Sequence, residues 1–410
     1  MKNIFLLLSL SLLTLVTTAQ TIISDSATMG QGYANDVHYS LQNGTVSTVS
    51  NTNWHLAFRS GLQTDGIFIN STANVKAYLT NKAIADWANL DSTHITNEVF
   101  NTDTSWEIGA FNRTFDSPYS SWGVYNTITK KVTGDSLYIL KVGNNWVKLW
   151  VVEKDYGTWQ VRVGTTAKDT TFTISHNDIR FFTFGYLNLN TLNVLYREPA
   201  DSTWDFKFTR YYSLQPSQNI YYPSTGVLNN RGVTSVKVSG IDKNTYMNYG
   251  AHAMVKNIST LGADWKSFDN ATFQWNITDS TCYFVKAKTG DIWKVWFTGF
   301  GGASSGKSYF NKQKLFTVGI GERNLPIAHL AIYPNPASEN VSLVLDNKSM
   351  RSAVIRIVDL QGKIVFEENR NIEIGMQTLP INVSGLNNGI YIMSLEGENY
   401  TANSRIVISK

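Results

Sequence analysis

Cysteine is almost absent: Cys282 is the only one in 410 residues. One thiol gives no intrachain disulfide framework and no cysteine-built zinc site, so stability must come from packed cores. Cys282 sits in the apolar run STCYFVKAK and is expected to be a small buried hydrophobe. Charge of one sign is also scarce. The 35 Lys and Arg stand against 31 Asp and Glu, interspersed and without a basic run, which leaves no electrostatic case for nucleic acid. Motifs of common chemistry are missing: no His-Glu-x-x-His, no Gly-x-Ser-x-Gly and no dinucleotide fingerprint. GGASSGKS from Gly301 satisfies the spelling of a phosphate loop. It leaves an aromatic strand and enters YFNKQKLFTVG rather than an amphipathic helix, so a hairpin loop is the expected role.

Long apolar runs are confined to the first residues, MKNIFLLLSLSLLTLVTTAQT. Lys2, the apolar stretch Ile4 to Val16 and the small residues Thr17, Thr18 and Ala19 spell a secretory signal peptide over 1–19, with a mature start at Gln20. No later stretch is long enough to span a bilayer as a helix, so no transmembrane segment is expected in the mature chain.

What is abundant is aromatic and β-branched. Twelve Trp and twenty Tyr favour strands, and helical periodicity is weak apart from one short candidate, NKAIADWANL over 81–90. The expected class is all-β. In TWDFKFTR, Trp204, Phe206 and Phe208 alternate with Asp205, Lys207 and Thr209, an apolar face against a polar one. NWHLAFRS repeats the pattern with Trp54, Leu56 and Phe58, and places His55 on the polar, solvent side. Later landmarks keep step: Asp135-Ser136 with Asp279-Ser280, Tyr138 with Tyr283, and Trp150 with Trp296. These pairs predict two divergent β-units in tandem, 20–183 and 184–320. The hairpin LYILKV-GNN-WVKLWVV, followed by WQVRV, is the clearest local signal.

Aromatics thin out after Gly319, and no Trp lies beyond it. Short runs such as VSLVLD, AVIRIVDL and GIYIMSL, punctuated by YPNPAS, LQGK and GLNNG, predict a small immunoglobulin-like β-sandwich over 321–410, with Gly362 and Gly389 suited to positive φ. YPNPASENVSLVL, VDLQGKIV, LNNGIYIMSL and the basic end closely resemble the C-terminal type A sorting domain of type IX secretion in Bacteroidota. That resemblance implies delivery by an outer-membrane translocon and a sortase, to the cell surface or the medium, and no chemistry in the tail.

The tandem units resemble the HmuY-like haem-binding family. The likeness rests on a strand carrying WHLAF or WDFKF, a following basic residue (Arg59, Arg210) and a late Tyr-x-x-Lys…Trp-x-Lys-x-Trp hairpin. It implies haem or a related porphyrin held by axial His or Met. Of six His, His55, His38, His176 and His329 read as strand, turn or linker residues. His94 and His252 fall at nearly the same place in the two units, before Trp106 and Trp265, and Met247 and Met254 flank His252. His94 and His252 are therefore the candidate iron ligands, with Met254 as a cofactor contact and Arg59, Arg210 or Lys256 near the propionates. A surface glycan-binding or adhesive module is the alternative, since Trp and Tyr also stack on sugars. A secreted hydrolase stands behind it, because paired carboxylates leave no fixed spacing.

Overall fold

The computed structural model describes residues 21–62, 64–112, 122–165, 168–215, 217–316, 327–347, 351–397 and 400–410. The expected signal peptide at 1–19 and the residues joining 316 to 327 lie outside them. The chain divides into two compact units, one ending at Val318 and one starting at Gly319. Among the described residues strands are the dominant element and helices are few and short, as the composition predicts. NKAIADWANL supplies only a short 3-10 helix, Ile84–Asn89.

The larger unit contains two sets of layered sheets, here called its halves, with a similar strand order. In the first, an outer sheet runs in the order Asp169–Ile174, Thr158–Gly164, Asn145–Asp155, Leu137–Val142, Val75–Leu79. In the second the order is Ile22–Thr28, Lys307–Phe316, Ile292–Phe300, Thr281–Lys286, Thr234–Ser239. Each outer sheet packs on an inner four-stranded sheet. The first inner sheet is Asn193–Leu195, Phe184–Asn188, Leu56–Arg59, Ile67–Ile69, and the second is Ile220–Asn229, Phe206–Gln215, Asn35–Ser40, Gly44–Ser50. Alternation explains the layering. Leu56 and Phe58 enter one core with Tyr138, Leu149 and Trp159, and Phe206 and Phe208 enter the other with Tyr283, Val295 and Phe297. Tight turns hold the hairpins: Gly143 takes φ +59 after LYILKV, and Tyr156-Gly157 takes φ +44 and +80 before WQVRV.

The N-terminal stretch Ile22–Ser50 completes the sheets of the second half, not the first. Ile22–Thr28 pairs with Lys307–Phe316, and Asn35–Ser40 pairs with Phe206–Gln215. Its residues Ala27, Met29, Val37, Tyr39 and Leu41 sit in the second core. The first half is continuous in sequence and the second is closed by the chain's beginning.

Side chains at matching places make matching bonds. His55 Nδ1 accepts the Leu189 N–H at 2.9 Å, and Asp205 Oδ2 accepts the Leu41 N–H at 2.7 Å. Asn70 donates to the Asn51 and Trp54 carbonyls, and Asn230 to those of Asp201 and Trp204. Trp54 meets Tyr186 edge-on at 5.1 Å, and Trp204 meets His38 at 4.8 Å.

The hairpin of Ile292–Phe300 and Lys307–Phe316 is joined by a single turn, Gly302–Ser305, so GGASSGKS is a hairpin connection followed by a strand.

The smaller unit is a two-sheet sandwich. Ile327–Tyr333, Asn340–Asn347 and Gly375–Asn382 form one sheet; Ile364–Asn371, Ser352–Val358, Gly389–Gly397 and Tyr400–Ile408 form the other. Its motifs do structural work. Asn335 of YPNP donates to the Arg405 carbonyl and accepts the Val407 N–H, fastening the last strand. Asp359 of VDLQGK caps its turn by accepting the Gln361 and Lys363 N–H groups, with Gly362 at φ +83. Gly389 opens a strand and is not in the left-handed region.

Candidate functional site

The polar faces of the Trp strands do not meet solvent. Asp205, Lys207 and Thr209 are all buried, and so is His55, which the alternation had placed on the solvent side. For Lys207 and Thr209 the reason is a second layer, since both turn to Asp36 beside Arg197, where the two inner sheets face each other. His55 is covered within its own half by Leu189 and Asn190, and Asp205 accepts the N–H groups of Leu41 and Lys288. Apolar contact between the inner sheets comes from Trp54, Ala57, Phe68, Phe184, Tyr186, Leu228 and Ile258. Beside it lies a buried ionic cluster. Asp36, 1% exposed, accepts from Arg197 at 2.9 Å, Thr209 at 2.6 Å and Lys207 at 3.2 Å. Burial alone would raise the Asp36 pKa, but Lys207, Arg197 and the Thr209 hydroxyl outweigh it and hold the carboxyl well below the usual range. Arg197 also donates to Asn53 and to the Ser50 carbonyl and lies over the Tyr186 ring. Glu198, fully enclosed, accepts from the Phe184 N–H and the Tyr186 hydroxyl, and burial pushes its pKa up.

Two adjoining cavities open where the halves meet. The outer one is a groove of about 740 Å³. Phe100 of the first half stacks on Tyr221 of the second along it, with centroids 4.1 Å apart and planes 7° apart. Tyr212 lines it too, as do the amide side chains of Asn74, Asn112 and Asn219 and the pair Lys76–Glu98 at 3.5 Å. The inner cavity, of about 70 Å³, shares Ile69, Ser71 and Tyr212 with the groove. Its wall includes Trp54, Phe68, Asp103, Phe184, Arg210 and Leu228. The groove exists because one hairpin is overlong. Phe206–Gln215 and Ile220–Asn229 have ten residues each, whereas their counterparts Leu56–Arg59 and Ile67–Ile69 have four and three. The extra length carries Tyr211, Tyr212, Tyr221 and Tyr222 over the first half. The doubled YY pairs in RYYSLQ and IYYPS were the available sequence signal.

The expected ligands stand elsewhere. His94 ends the short helix Ser92–His94, where its Nδ1 faces Asp91 at 3.1 Å. His252 shares a hydrogen bond with the Tyr246 hydroxyl at 2.7 Å and stacks on Phe284. Met254 packs against the cluster of Val238, Cys282, Phe284 and Trp296. None of the three lines the groove or the inner cavity, and no contact joins His94 to His252. Arg59 is buried against Glu107 at 2.9 Å; Arg210 borders the inner cavity, over the Tyr33 ring. Among the described residues no three His, Cys, Asp or Glu side chains gather as a metal site, and no helix is long and apolar enough to cross a membrane.

No curated protein matches the chain. Among solved structures, dimeric latent PorU from Porphyromonas gingivalis aligns over 92% of this chain and 34% of its own length, at 10% identity and a TM-score of 0.17. The chain thus spans about a third of that protein, and the likeness is too slight to bear on fold or function. Residues 331–409 match the family described as the secretion system C-terminal sorting domain. The sandwich at the C-terminus is a type IX sorting domain, and the chain is an exported protein of Bacteroidota type, destined for the cell surface or the medium and engaging the type IX machinery through that domain.

Proposed function

We propose that the exported part is a duplicated β-module that binds a saccharide in the groove between its halves. The duplication is supported by the shared sheet order and by the matched bonds of His55 with Asp205 and Asn70 with Asn230. The binding reading is carried by one observation, the make-up of the groove. Tyr212 and the Phe100–Tyr221 stack share the lining with the amides of Asn74 and Asn219, which both donate and accept, and with the Lys76–Glu98 pair. Its 740 Å³ falls in the size range of small-molecule sites. Sugars present apolar ring faces edged with hydroxyls, and this lining answers both. The described lining holds no imidazole or thioether, the groups a haem iron most needs.

A glycan array probed with the mature chain tests the reading, with a haemin titration in the Soret region beside it. Array binding that falls when Tyr212 or Tyr221 is replaced by Ala is the expected result. A saturable Soret band with a blank array would overturn it in favour of a porphyrin carrier.

A further inference from the structure

Like charges stand side by side on the outer sheet of the first half. Lys141 lies directly opposite Lys76 on one neighbouring strand and directly opposite Trp146 on the other. The three side chains therefore share one face, in a row across Val75–Leu79, Leu137–Val142 and Asn145–Asp155. Like charges directly opposed across strands are destabilising, and little here offsets them. Glu98 reaches Lys76 only at 3.5 Å and leaves its side chain 55% exposed. Among the described residues no carboxylate pairs with Lys141, whose ammonium lies over the exposed Trp146 ring at 5.5 Å. Strands lie about 4.8 Å apart, so the row spans roughly 10 Å. Its near end is the groove, which Lys76 lines together with the Phe100–Tyr221 stack.

The second half supplies a control within the molecule. Lys286 answers Lys141 in the Tyr-x-x-Lys pattern, three residues after Tyr283 as Lys141 is after Tyr138. Its direct cross-strand neighbours are Thr234 and Ile292, and the Trp293 that follows is buried. The shared hairpin pattern does not by itself impose a cation pair beside an exposed indole. That arrangement belongs to the first half, on the strand that also lines the groove.

We infer that the ligand of the groove is an acidic polysaccharide, whose chain leaves the groove past Lys76 and Lys141 and stacks on Trp146. Anionic groups on the sugars relieve the repulsion between the two ammonium groups, and the indole takes a neighbouring ring. The inference rests on the saccharide reading and names its charge class. Uronate and sulfate offer the same anionic oxygens, so the two sources have to be separated by experiment.

Isothermal titration of the mature chain would compare tetragalacturonate, its neutral methyl ester, a κ-carrageenan tetrasaccharide and tetraglutamate. The expected result is that one acidic sugar binds at least about tenfold more tightly than the ester, the worth of one hydrogen bond to a charged group. That advantage should shrink between about 0.05 M and about 0.5 M salt. Preference for the galacturonate assigns the anion as uronate, and preference for the carrageenan assigns it as sulfate. Lys141→Gln and Lys76→Gln remove a charge and keep most of the stem; each should remove at least about threefold of the advantage and leave the ester unchanged. An undiminished advantage in both variants overturns the assignment of the anions to this row. Equal affinity for acid and ester overturns the inference and leaves the saccharide reading standing. Binding of tetraglutamate alone overturns both and gives the row to an acidic peptide. No binding to any of the four overturns the inference, and the glycan array then decides the saccharide reading by itself.

Discussion

Asp36 is the point at which the two halves are most exposed to a single change. It is buried, and it is the carboxylate that Arg197 and Lys207 share. Asp36→Asn keeps the shape and some hydrogen bonding but leaves two buried cations facing a neutral amide. Arg197 retains Asn53 and the Ser50 carbonyl. Breaking a buried pair by removing one partner costs about 3–5 kcal/mol, and the retained bonds place this variant near 3, roughly a 150-fold shift in the folded-to-unfolded ratio. At 2–4 °C per kcal/mol for a unit of this scale, the melting midpoint should fall by roughly 6–12 °C. Tryptophan fluorescence is the assay, because all twelve Trp lie in the larger unit and the sorting domain is silent. Removing one cation as well, in Asp36→Asn/Lys207→Met, should recover at least about 1 kcal/mol. A loss under about 1 kcal/mol for the single variant would refute the view that this ionic cluster is a stringent contact between the halves.

Three further outcomes can be checked. Burial, and next the nearby Lys207, lower the His38 pKa to about 3, so between about pH 6.5 and pH 3 the unfolded chain takes a proton that the native one refuses. Stability should therefore fall as pH drops through that window, by up to about 1.4 kcal/mol per unit, and His38→Gln should flatten the slope in denaturant titrations across it. A Cβ on Gly134 would lie 1.7 Å from the Val151 carbonyl oxygen, so Gly134→Ala should cost roughly 3 kcal/mol by thermal melting, where an exposed change at Gly143 would not act through such a clash. Cys282 is fully buried, which pushes its thiol up to about 11; it should resist alkylation at pH 8 in the native protein and react on unfolding, read by mass spectrometry.

The sorting domain was legible because its signals are local. VDLQGK makes its bonds within the motif, as Asp359 does, and YPNP is recognisable by its own spelling although Asn335 bonds to the distant last strand. The paired strands of the larger unit were legible in part: Leu56 and Phe58, and Phe206 and Phe208, enter their cores as alternation predicts, but Trp54 instead packs with Ala57 and Tyr186 and Trp204 lies against His38. Alternation is blind to a second covering layer, however. It placed Lys207 and Thr209 on a polar face that in fact meets Asp36 and Arg197 between the sheets, and His55 toward water where Leu189 and Asn190 cover it. The closure of the second half by Ile22–Ser50 was hidden for a related reason: strand pairing between the chain's beginning and residue 316 leaves no mark in either segment alone. The groove escaped notice because its lining comes from Phe100, Tyr212 and Tyr221, residues that are adjacent only after the halves meet.

The most direct test of a saccharide site between the halves is calorimetric titration of the leading array glycan into the mature chain and into Tyr212→Ala/Tyr221→Ala. Stacking on two aromatic faces is worth about tenfold each, so the double variant should bind at least about fiftyfold more weakly, while the lost Phe100–Tyr221 stack lowers its melting temperature by only about 1–6 °C. Unchanged affinity in a folded double variant would place the ligand elsewhere and contradict the account.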